Sequence, residues 1–72
     1  MKYIVIELQT SGDSVANIVT SFDTLAQAES KYHSVLAAAA VSQLDAHSAS
    51  LLTSDGYCME YRCYHKEVEA GE

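Results

Sequence analysis

Residues 2–9, Lys-Tyr-Ile-Val-Ile-Glu-Leu-Gln, set apolar side chains at consecutive positions in a run too short and too β-branched for an amphipathic helix. As a strand, the run sends Ile4, Ile6 and Leu8 one way and Tyr3 and Val5 the other. A strand that is apolar on both sides needs a covering layer on both sides. This requirement constrains the chain more than any other feature, because 72 residues make one domain and leave little material for layers.

The rest of the chain supplies one helix. Thr10-Ser-Gly-Asp-Ser14 is turn chemistry, and residues 15–21 read as a second strand, closing a hairpin. Asp23 or Thr24 then caps a helix running to about Ser42, with Thr24 and Gln27 spaced as a capping box. Leu25, Ala28, Tyr32, Val35, Leu36 and Ala39 form its apolar stripe at helical spacing. The run Ala37-Ala-Ala-Ala-Val41 is apolar all round, which suits either plain helix propensity or a helix–helix contact between subunits.

Residues 47–53 and 57–66 read as a second hairpin around Asp55-Gly56, a pair suited to a two-residue turn with positive φ at both positions. That turn pairs Leu52 with Met59, Ser50 with Tyr61 and Ser48 with Cys63 on one face. It pairs Thr53 with Cys58, Leu51 with Glu60, Ala49 with Arg62 and His47 with Tyr64 on the other. The first of these faces suits a core. The expected fold is α+β: two β-hairpins flanking one helix, ββαββ, an antiparallel sheet with the helix on one face. Residues 1–66 form the domain and 67–72 an acidic, solvated tail.

A single helix shields one side of such a sheet, so the second layer is expected from another copy, making a homo-oligomer. Net charge is −6, which argues against general nucleic-acid binding. No apolar stretch reaches the length of a membrane span, and Met1-Lys2 leads straight into a strand-like run rather than a secretory leader, so a cytoplasmic location is expected. Cys58 and Cys63 sit too far apart along one strand to bridge each other, and free thiols suit a reducing compartment.

No glycine-rich phosphate loop, Cys-x-x-Cys or His-Glu-x-x-His motif is present, and each of the three histidines stands alone. The chain is therefore read as non-catalytic, with no cofactor and no metal. Cys63 and His65 share one side of a strand and would need a third metal ligand from elsewhere, the plainer reading being a buried thiol and a strand-end histidine; His33 falls off the helix stripe. The residues best suited to touching a ligand are Arg62, Tyr64, His47, Tyr3, Ser48 and Asn17. Tyrosine rings stack on bases, arginine pairs a phosphate bidentately, and Ser and Asn add neutral hydrogen bonds. A small nucleotide fits this chemistry, with Lys2, Lys31, Lys66 and Arg62 offsetting the negative charge.

Three stretches carry a resemblance: Met1-Lys-Tyr-Ile-Val-Ile-Glu-Leu-Gln-Thr10; Ala28-Glu-Ser-Lys-Tyr-His33 followed by Val35-Leu-Ala-Ala-Ala-Ala-Val-Ser42; and His47-Ser-Ala with Leu51-Leu-Thr53. Over roughly residues 1–65 the chain resembles a group of short uncharacterised phage and prophage proteins of Firmicutes. The resemblance implies a viral product acting in a bacterial cytoplasm. Its expected role is to evade host defence by sequestering a cyclic-nucleotide-type immune signal. The alternative is a protein–protein inhibitor of a defence system or a virion-assembly accessory.

Overall fold

The computed structural model describes residues 1–65. Its elements are β1 (Tyr3–Ser11), β2 (Ser14–Phe22), α1 (Leu25–Ala40), β3 (Ala46–Thr53) and β4 (Cys58–His65). The two hairpins join into one antiparallel sheet of order β2-β1-β3-β4, with β1 and β3 paired at its centre. The ββαββ expectation holds. Lys66 and the acidic tail 67–72 lie outside the described residues. Among the described residues no helix is long and apolar enough to cross a membrane.

Local chemistry sets the boundaries. The first hairpin turns at Gly12-Asp13, where only Gly12 takes positive φ (60°), the pattern of a type II′ turn. Thr24, extended at φ −125°, ψ 150°, accepts from the Gln27 amide at 3.2 Å and starts α1. The helix stops at Ala40, two residues before the expected end. There the Val41 and Ser42 amides fold back onto the Ala38 and Ala39 carbonyls, tightening the last turn. Asp45 then ties this loop to the first hairpin, donating its amide to the Thr10 carbonyl and accepting from the Gly12 amide at 2.7 Å.

The second hairpin corrects the expected turn. Gly56 has φ 94° while Asp55 stays at negative φ, so the turn is not the two-residue kind with both centres left-handed. The Gly56 amide donates to the Thr53 carbonyl, and the Thr53 amide to that of Tyr57. A three-residue loop ending in a left-handed glycine results, and a bulge follows between Leu51 and Leu52. Leu52 therefore pairs with Cys58, not Met59, and Thr53 no longer faces Cys58. Beyond the bulge the expected pairs hold from Leu51–Glu60 through His47–Tyr64.

The helix covers the face opposite to the one hydropathy favours. Its buried residues Ala28, Tyr32, Val35 and Ala39 sit in the expected stripe. The core they complete is Val5, Ala49 and Leu51, with Tyr3, Phe22, Leu25 and Leu36 packed around it. Ala28 and Ala49 are both wholly buried, and two methyl groups there let helix and sheet approach closely. Burial of Leu51 alone contributes about 1.5–3 kcal/mol. The face carrying Leu52, Ser50 and Ser48, read from sequence as core, is left without a second layer.

Candidate functional site

The alternation that buries Val5 also carries Glu7 under the helix, and the alternation that buries Leu51 and Ala49 carries His47 there. Gln9 pairs with His47 and Glu7 with Ala49 across β1 and β3, which makes Glu7 and His47 diagonal neighbours on one face. Both are buried, at 9 % and 5 % exposure. His47 Nε2 lies 2.6 Å from Glu7 Oε2, and Gln9 Nε2 donates to the same oxygen at 2.8 Å.

Burial works to raise the Glu7 pKa. Hydrogen bonds from Gln9 and His47, with the positive influence of His47 and Lys31, outweigh it and hold the carboxyl below its ordinary value. Glu7 is thus an ionised acceptor. A carboxylate only accepts, so Nε2 of His47 carries the hydrogen in this contact. In the neutral ring Nδ1 is then a lone-pair acceptor. It is buried and has no partner among the described residues.

His47 forms part of the wall of a cavity of about 240 Å³ between the end of α1 and the outer half of the sheet. Ala39, Ala40, Ser42 and Leu44 line the helix side; Tyr64 and His65 line the β4 side. The alanine run accounts for the space, since longer side chains at positions 39 and 40 would fill it. Beside it, the Arg62 guanidinium carbon sits 5.3 Å from the centre of the Tyr64 ring, a cation–π contact. Farther along the same face Tyr32 is buried under α1. Burial and the nearby Glu60 carboxylate push its phenol pKa up.

Of the six residues selected from sequence, the structure brings three together: His47, Tyr64 and Arg62. Tyr3 shares their face but pairs with Thr53 at the other end of the sheet, roughly 20 Å from His47 along β3. Ser48 and Asn17 lie on the opposite face, in the row Asn17–Leu8–Ser48–Cys63. Glu7 and Gln9 are the site residues that sequence reading missed. Their signal was parity, because Glu7 shares the side of Val5.

Chemically, the cavity offers a wall formed in part by an imidazole that a carboxylate holds in place. Tyr64 offers a ring face and Arg62 a fixed cation beside it. No hydroxyl or thiol of the described residues is hydrogen-bonded to Nδ1. Cys63 Sγ and His65 Nε2 approach to 3.4 Å, but no group of three or more His, Cys, Asp or Glu is placed to hold a metal ion among the described residues. His33 is exposed and stands edge-on to Tyr32, with ring centres 5.5 Å apart. In comparisons with family models, curated proteins and solved structures, nothing matches the chain.

Proposed function

We propose that this chain is a small, non-catalytic binding protein, built as a homo-oligomer, that sequesters a nucleotide-type ligand at the His47 cavity. The observation that carries the reading is a cavity walled by a buried, carboxylate-held imidazole beside Tyr64 and Arg62. A nucleobase supplies a flat face for Tyr64 and ring nitrogens and amino groups for the polar part of the cavity wall. Its phosphate extends toward Arg62. At about 240 Å³ the cavity takes one base and leaves sugar and phosphate outside.

The resemblance to phage and prophage proteins supplies the setting: a viral product in the cytoplasm of a bacterial host, withdrawing a cyclic-nucleotide immune signal by binding without turnover. A thermal-shift panel of cyclic mono-, di- and trinucleotides tests it. A ligand at about 100 times its Kd stabilises the folded chain by ~2.7 kcal/mol, roughly 10–20 °C for a domain this small. Tyr64→Ala, at a half-buried position, removes the shift while the free protein still melts cooperatively. A panel in which no nucleotide moves Tm refutes the ligand.

The bare sheet face supports a second reading, a protein–protein inhibitor of a defence system or an accessory of virion assembly. Stoichiometric capture of one host or virion protein, lost on substitution of that face, distinguishes it.

A further inference from the structure

The sheet face turned away from α1 is the more apolar of the two. By register it carries Ile4, Ile6 and Leu8 of β1, Val15 and Val19 of β2, Leu52 of β3 and Tyr61 of β4, with Met59 at the bulge beside them. Val15 is 61 % exposed, Val19 60 %, Tyr61 73 %, Leu8 39 % and Met59 37 %. The polar members are small or neutral: Thr10, Asn17, Ser21, Ser48, Ser50 and, at the end of β4, His65. Among the described strand residues no Asp, Glu, Lys or Arg stands on it, the Lys2–Asp23 ion pair lying just beyond the strand ends, although the chain's net charge is −6. A charge-free apolar sheet face of this extent, left in water, is an interaction surface or an aggregation site.

We infer that a second copy of this chain covers this face, sheet against sheet, about a two-fold axis running along the strands between β1 and β3. This deepens the oligomeric part of the function proposed above and is independent of its ligand. Relief across the face selects the axis. On β1 the outward side chains are tall (Ile4, Ile6, Leu8). On β3 they are short beyond Leu52 (Ser50, Ser48, Ala46). The order β2-β1-β3-β4 places the axis at the midline of the sheet. Rotation about it sets the tall row of each copy over the short row of the other, and β2 over β4, so Val19 meets Tyr61 and Val15 meets His65. The contact is isologous and closes at two.

Area agrees. Strands about 30 Å long, four across at roughly 4.8 Å spacing, give a footprint on the order of 550 Å² per copy. The total of about 1,100 Å² clears the lower bound for a specific interface. Sheets so packed lie about 10 Å apart, in four layers: helix, sheet, sheet, helix. Both His47 cavities stay open on the outside.

Sedimentation equilibrium of the full chain tests this, with Ile6→Lys on the face and Val41→Lys on the exposed end of the helix. The wild type is expected at twice the 7.8 kDa chain mass. The two-fold buries each new lysine twice, so Ile6→Lys weakens association by at least about 100-fold. Val41→Lys leaves it unchanged. Should Ile6→Lys lose its circular-dichroism signature of folding, Val19→Lys and Tyr61→Lys decide, since both side chains are mostly exposed in a single copy. A monomeric wild type, face variants that stay dimeric, or a Val41→Lys variant that dissociates each overturns the inference. A dimer that binds no nucleotide leaves the interface standing and removes the ligand. A monomer that binds one does the reverse.

Discussion

Glu7→Gln isolates what the buried charge contributes. Both hydrogen bonds at Glu7 end on a single oxygen, Oε2, which accepts from Gln9 at 2.8 Å and faces His47 Nε2 at 2.6 Å. A glutamine whose carbonyl oxygen takes that place keeps both contacts and nearly the same volume, losing only the charge. Bonds to an ionised acceptor contribute more than neutral ones by about 1 kcal/mol, and part of that gain is offset because a neutral amide is easier to bury. The lowered pKa of Glu7 fixes the sign: the ionised form is favoured in the folded chain, so the neutral isostere is less stable. The expected loss is about 1 kcal/mol at pH 7, or roughly 4–8 °C in Tm for a domain of this size.

Acid removes the difference. A carboxyl with a depressed folded pKa contributes stability that is fully present above its unfolded value, near 4.5, and disappears as pH falls through the folded value. Urea unfolding of wild type and Glu7→Gln, followed from pH 7 to pH 3, should give curves separated at neutral pH that converge below about pH 4.5. Asp23 and Asp55 also have lowered pKa values, Asp23 through its hydrogen bond with Lys2 and Asp55 through one from Thr53, but both proteins share them and they cancel in the difference. Equal stability at pH 7, or a gap that stays constant into acid, would refute the reasoning.

Two more substitutions test the frame around the site. Leu51→Ala empties a wholly buried position under α1 and should lose about 2–5 kcal/mol in urea unfolding, a large share of a small domain's stability. Gly56→Ala meets no atom within 4 Å of the added methyl, so its cost, about 1–2 kcal/mol in the same assay, comes from φ 94° alone; an unchanged midpoint would mean that the turn is not left-handed there.

Much of the fold was legible because its determinants are local. Periodicity found all six residues of the helix stripe, the cap was narrowed to Asp23 or Thr24 and is Thr24, and Asp55-Gly56 located the second turn and the pairs from Leu51–Glu60 to His47–Tyr64. What stayed hidden is non-local. An Asp-Gly pair serves two turn geometries, and the choice between them added the bulge that moved Leu52 onto Cys58. Pairing of β1 with β3 joins residues far apart in sequence, from Thr10 with Ala46 to Tyr3 with Thr53, and without it Glu7 has no visible partner. Site prediction failed for the same reason: Arg62, Tyr64 and His47 belong to one hairpin whose register could be written down. Tyr3 and Asn17 needed the rest of the sheet. Ser48 was already assigned to the opposite face by its own hairpin. Hydropathy misassigned the covered face because it ranks sides by greasiness and assumes that the greasiest side meets the chain's own helix.

That misassignment bears on how the chain chooses between its two sides. Strand side chains alternate with period two, so a one-residue slip of β1 would turn Ile4, Ile6 and Leu8 toward α1 and carry Glu7 outward. Apolar burial alone would not oppose the slip, since β1 is apolar both ways. Glu7 does oppose it. In the observed register the carboxylate meets His47 and Gln9. After a slip into the place of Ile6 it would stand between Val19 and Ser50 on the apolar face, and His47 would be left under the helix without its carboxylate. Leaving a buried group unpaired in this way costs more than making the pair gains. The polar pair thus selects which apolar side the helix takes, and the same selection keeps the Glu7 charge off the other side.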